Sequence, residues 1–188
     1  MIMGLGWIRW PQRVSRSSIS RRTMSVNAST TVKAPLETVL KTFVDEAFVR
    51  HVSDRAGTQL ESFEVSGDIN TAFTVTTVRT MSPEKLPDMV QKFVKGAVKL
   101  NQVDTYDAPA ADGSRNVRTE IKAHGLPVGA NATQNLKPSG EETVIDVAGD
   151  VVANIPLVGK KIAAAAEPYI GKALTLQARA AESWISKH

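Results

Sequence analysis

The chain has 188 residues, 42% hydrophobic and 22% charged, with a formal net charge of +4 and no cysteine. Such totals fit one globular domain with a real core, plus a tail. They exclude disulfides, thiol catalysis, iron–sulfur clusters and cysteine-ligated zinc, and no apolar run approaches the ~20 residues that span a bilayer.

The positive charge is local. Residues 1–23 carry Arg9, Arg13, Arg16, Arg21 and Arg22, no acid, and Trp7 and Trp10 out of three tryptophans. With these five arginines set aside, 18 basic residues stand against 19 acidic ones, a net of −1. A domain so nearly neutral, with 5% aromatic residues, lacks the cationic footprint of a nucleic-acid binder. Residues 1–23 read as a disordered or targeting tail, as a peripheral membrane anchor, or as sequence upstream of a true start at Met24. The folded unit is taken as residues 24–188.

That unit opens with a strand over 25–35, in which Val26, Ala28, Thr30 and Val32 alternate with polar neighbours. Pro35 suits the first turn of a helix. One long helix is predicted from there to Gly57, its apolar face made by Leu36, Val39, Leu40, Phe43, Ala47 and Phe48. Two strands follow, with Phe63 and Val65 on one face of 58–68 and Phe73 and Val75 on one face of 71–81. An insertion over 82–96 holds two prolines and a short helical patch of Met89, Val90, Phe93 and Val94. Strand character returns over 97–108. The stretch 109–116 is rich enough in turn residues to connect a hairpin. Residues 117–126 then place Val117, Thr119, Ile121 and Ala123 opposite Arg118, Glu120, Lys122 and His124. Further strands over 128–138 and 142–156 complete the set, and hairpin connections make the sheet mostly antiparallel. The last thirty-odd residues, from Ile155, are predicted as a long amphipathic helix. Its stripe runs through Ile162, Ala166, Tyr169, Ala173, Leu176, Ala180 and Trp184. A helix arriving after a run of strands needs a sheet to cover that stripe. The fold class is α+β, a curved sheet of about six to seven strands wrapped around the C-terminal helix.

With this order in hand, the chain resembles the START/polyketide-cyclase (SRPBCC) superfamily, whose helix-grip fold is shared with the birch-pollen allergen family. The carriers are VKAPLETVLKTFVD at 32–45, the strand run, and GDVVANIPLVGKKIA at 149–163. More narrowly it is similar to an uncharacterised actinobacterial family of that superfamily, through TVRTMSPEKLPDMVQKFVKGAVKLNQVDTYD at 77–107 and IPLVGKKI at 155–162. It departs from the allergen type where one long helix stands in place of a helix pair. The resemblance implies an internal cavity between sheet and C-terminal helix, holding a lipid-, sterol- or polyketide-like molecule. Inward candidates are Phe63, Phe73, Val75, Val117, Ile121, Ala132, Ile145 and Val147 from the sheet, with Tyr169, Ala173 and Leu176 from the helix. Tyr169 offers one polar contact. A packed core is the competing expectation, since the residue types are the same and only the volume differs.

Catalytic signals are thin. His51 stands three residues before Asp54, one helical step away, so a His–Asp general base is the weak candidate for a cyclase, hydrolase or dehydratase; a solvated helix end is the simpler reading. His124 falls on a polar strand face and His188 is terminal, with no metal-ligand spacing between them. Gly149, Gly159, Lys160 and Lys161 do not fit GxxxxGK[ST], because the glycine spacing is wrong and Ile162 follows Lys161. No metal, cofactor, nucleic acid or transmembrane segment is expected. The expected role is non-enzymatic binding of an apolar molecule, in the cytoplasm or at a membrane periphery; a protein-interaction module is the third reading, and the oligomeric state is open.

Overall fold

The computed structural model describes residues 24–188 apart from 87, 93, 155, 156 and 158. The tail reading of residues 1–23, and the roles given to the side chains of Val26, Met89, Val90, Phe93, Ile162, Ala166 and Tyr169, lie outside the described residues.

The order is β1 (Met24–Val32), α1 (Leu36–Phe43), α2 (Glu46–Arg55), β2 (Thr58–Gly67), β3 (Phe73–Met81), a 3-10 turn at Pro83–Lys85, α3 (Asp88–Gln91), β4 (Val98–Tyr106), β5 (Arg115–Ala123), β6 (Val128–Ser139), β7 (Glu142–Ala153) and α4 (Gly159–Ile185). The seven strands make one sheet in the order β1-β7-β6-β5-β4-β3-β2, antiparallel at every pairing. The helix pair α1–α2 joins the two edge strands, β1 and β2. The expected α+β helix-grip architecture is the one observed.

Where one long helix was expected, there are two. Residue 44 ends α1, and Asp45 takes an extended conformation with its carboxylate accepting from the Ala47 N–H at 2.9 Å. That bond satisfies an otherwise orphaned donor and starts a new helix. Thus the allergen-type helix pair is present, against the sequence reading. Gly57, at φ +73°, does end the second helix in the left-handed region that favours glycine.

All helices except α3 cover one sheet face. α4 packs against β1, β7, α1 and α2, and Ala178, Ala180 and Ala181 in its C-terminal half are buried. Phe48 seals the corner: its ring lies 6.0 Å from Phe43 and 5.8 Å from Trp184. Of the predicted stripe, Ala180 is buried, Trp184 packs on the core and Leu176 is half-buried, while Ala173 is exposed and Leu174, off the stripe, also packs on the core. Alanine lets the helix lie close to β1 wherever it falls, so alanine-rich sequence defines the buried side weakly. A bond from the Lys33 N–H to Glu182 Oε1 (2.9 Å) and one from Thr143 Oγ1 to the Ala34 carbonyl (2.8 Å) pin this end.

Candidate functional site

Along each strand, alternate residues face the helices. Counting by two from Phe73 and Val75 on β3 reaches Thr77 and then Arg79. Register carries these positions across the sheet: Thr77 pairs with Gln102, Val75 with Asp104 and Phe73 with Tyr106. In turn Gln102 pairs with Ile121 and Asp104 with Thr119. The middle of the inner face therefore carries polar side chains where an apolar core was expected.

These side chains are joined end to end. Arg79 Nε donates to Ser53 Oγ on α2 at 2.9 Å, and Nη1 donates to Thr77 Oγ1 at 2.8 Å and Gln102 Oε1 at 2.9 Å. Gln102 Nε2 donates to Asp104 Oδ2 at 2.7 Å, and Thr119 Oγ1 to Asp104 Oδ1 at 2.6 Å. Gln134 Nε2 completes the chain on Thr119 Oγ1 at 2.9 Å. Every bond touching Asp104 delivers a donor to it. Burial nevertheless pushes the Asp104 carboxyl above the usual carboxylate range, against the opposing pull of Thr119, Gln102 and the Arg79 charge. Burial likewise lowers the pKa of Arg79, with the Asp104 charge opposing it. Tyr106, stacked on Phe73 at 4.2 Å, has its phenol pushed up by burial and by Asp104.

Beside this network lies a cavity of about 220 Å³ lined by α2, the middle of the sheet and α4, and open on one side past the exposed Ala173. Phe48, Val49, Val52, Leu100, Ile121 and Leu176 give it an apolar wall. Ser53, Arg79, Gln102 and Gln177 give it a polar side. Larger depressions of about 790, 520 and 510 Å³ lie at the β5–β6 hairpin and on the outer sheet face. They are open troughs among groups such as Asn27, Asn131 and Asp146, and volume alone does not make them sites. The cavity beneath α2 and α4 is the candidate, although it falls below the ~300–1,000 Å³ usual for ligand pockets.

Of the sequence candidates, Ile121, Ala173 and Leu176 meet at this cavity. Phe73, Val75, Val117, Ile145 and Val147 are buried in the packed core, with Phe63 and Ala132 half-buried against it. His51 is exposed, its ring 5.6 Å from Trp184, and Trp184 also stacks on His188 at 4.4 Å. Neither His51 nor Asp54 is among the residues lining the cavity, so a His51 base would have to leave Trp184 to reach it. His124 is exposed on the β5–β6 hairpin. Sequence reasoning missed Arg79, Gln102, Asp104 and Gln134. The available signal was the period-two count from Phe73 through Val75 and Thr77 to Arg79. Among the described residues no cluster of His, Asp and Glu could hold a metal ion, and no helix is long and apolar enough to cross a membrane.

Solved structures share this architecture at low identity, so the likeness is one of fold. Norcoclaurine synthase from Thalictrum flavum, in complex with dopamine and hydroxybenzaldehyde, is 16% identical with a TM-score of 0.52, covering 98% of each chain. The Zhui aromatase/cyclase from Streptomyces sp. R1128 is 14% identical with a TM-score of 0.54, covering 88% of this chain and 94% of that one. A START superfamily protein from Mycobacterium smegmatis is 14% identical with a TM-score of 0.51, covering 87% and 97%. No curated protein matches the sequence. A family model described as "Protein of unknown function (DUF2505)" matches residues 27–185.

Proposed function

We propose that this chain, which belongs to the DUF2505 family, binds or carries a small hydrophobic molecule without transforming it. The observation that carries this reading is the partly open 220 Å³ space between α2, β3–β5 and α4, apolar on most of its wall. An apolar recess of this size leaves aliphatic surface in contact with water that a bound molecule would cover. An apolar cavity of ~150 Å³ takes benzene. By that scale 220 Å³ suits an aromatic body or the end of a lipid chain. A whole sterol or polyketide would need α2 and α4 to part. The norcoclaurine synthase complex with two small aromatic molecules supports a ligand of the smaller kind.

The test is titration of the full chain with naphthalene, followed by NMR. Saturable binding is expected, with shifts at the Ile121 and Leu176 methyl groups. Ala173→Trp, and independently Leu176→Trp, fill the space and are expected to weaken binding about tenfold or more while leaving the melting temperature nearly unchanged. Unaltered affinity in both variants would remove the cavity as the site.

A further inference from the structure

Arg79 points to what the ligand carries besides its apolar body. A guanidinium has five N–H donors. Three are spent, by Nε on Ser53 and by Nη1 on Thr77 and Gln102, all neutral acceptors. The carboxylate of this network, Asp104, is reached only through the Gln102 amide. Both N–H groups of Nη2 are without a partner among the described residues, and the atom is not sealed inside the protein. Arg79 itself lines the cavity, alongside Gln102 and opposite the apolar wall.

A half-buried cation whose direct partners are neutral oxygens is incompletely compensated, and the accessible Nη2 has donors left for an acceptor brought by a ligand. Asp104 offsets part of the charge through Gln102 but supplies no acceptor to Nη2. The group that answers both needs is a carboxylate oxygen, because charge-assisted bonds to guanidinium are roughly twice as strong as neutral ones. The remaining volume is apolar and limits the rest of the ligand to the size argued above.

We propose that the ligand of this cavity is a small monocarboxylic acid, aromatic or medium-chain, of about ten non-hydrogen atoms, with its carboxylate on Nη2 of Arg79. The proposal rests on the reading of the cavity as a binding site. It also makes Arg79 the residue that orients the ligand, carboxylate toward the sheet and apolar end toward Val52 and Leu176.

Three probes of nearly equal size separate the possibilities: octanoate, octanamide and 1-octanol, each titrated into the full chain by calorimetry, with NMR shifts at Ile121 and Leu176 locating the binding. Octanoate is expected to bind the wild type about tenfold or more tighter than octanamide, and Arg79→Met is expected to abolish that preference while retaining 1-octanol. Arg79→Lys keeps the charge but loses the planar fork, so an intermediate preference is expected. The wild-type ranking needs no variant and stands even if Arg79→Met does not fold. Equal affinities for octanoate and octanamide would overturn the carboxylate assignment and leave the cavity reading intact. Failure of all three probes to bind would overturn both.

Discussion

Around β1, β6 and β7 the inner sheet face is closed by Val32, Leu136, Ile145 and Val147, each buried under α1 or the alanine-lined end of α4. Around β3, β4 and β5 the matching positions carry Arg79, Gln102, Asp104 and Thr119, with open space beside Arg79 and Gln102. α4 serves both halves, with α1 over β6 and β7 and α2 over the cavity, so covering helix and side chains both differ. In the first half, small residues on the helix bring backbone close to sheet. In the second, the polar groups are joined to one another except at Nη2 of Arg79, and α2 and α4 do not close over them. One half secures the fold and the other keeps a space whose polar side is already organised. A buried polar network is seldom the most stabilising filling for a core, so the second half gives up stability that the first must supply.

The sharpest way to break this comparison is truncation in the packed half. Leu136 is 1% exposed and pairs with Ile145 and Arg115 across the sheet. Leu136→Ala should cost about 3–4 kcal/mol, as deep Leu truncations in rigid surroundings do, read by denaturant unfolding. A cost near 1 kcal/mol would mean that this half collapses around voids as readily as the other holds one. Next in size is Arg115, which donates to the carbonyls of Ile69 (2.6 Å), Thr71 (2.6 Å) and Asp107 (3.0 Å) and lies over the Phe73 ring at 5.9 Å. It ties the β2–β3 turn to the β4–β5 connection. Arg115→Met keeps bulk but strands three acceptors and should cost about 2 kcal/mol, with the loss of amide protection concentrated at residues 69–71.

Much of this division was hidden in the sequence for identifiable reasons. The strands were legible because alternation such as Val117, Thr119, Ile121 against Arg118, Glu120, Lys122 has one meaning on a half-covered sheet. The break between α1 and α2 was not, because the apolar spacing from Leu36 to Phe48 runs unbroken through the very residues that leave the helix; only Asp45 followed by Glu46 marks a fresh N-terminus. The polar tract was harder still. On β4 Leu100 and Val103 lie on opposite faces, so hydrophobicity cannot say whether Gln102 and Asp104 point in. Pairing with Thr77 and Val75 decides it, and pairing is a long-range fact. The cavity was least legible, since its wall and the packed core draw on the same aliphatic residues.

Asp104 tests the polar half by pH. Its folded-state pKa is raised by burial, so the fold favours the protonated form. The stability this contributes is complete below the ordinary value of 3.8 and is lost as pH rises through the raised folded value. Asp104→Asn has no such titration. The stability of the wild type minus that of the variant should therefore fall as pH climbs from below 3.8, and then level off. A difference that stays constant with pH would mean that the carboxylate is solvated, and the polar half would then be open to water.

The smallest effect sharpens the comparison most cleanly, because the chemistry is held constant. Ile121 and Ile145 both face the helices, one on the cavity wall and the other buried at 4% exposure. Removing one methylene from Ile145 opens a void among close neighbours on every side. Removing it from Ile121 only enlarges a space that exists already, so few contacts are lost. Ile→Val changes span about 0.5–1.5 kcal/mol. Ile145→Val should fall near the top of that range and Ile121→Val near the bottom, by the same unfolding measurement. Yet Ile121→Val should change naphthalene affinity and Ile145→Val should not, which inverts the order. Equal stability losses with no inversion in binding would show that the two halves of the inner face are one continuous core.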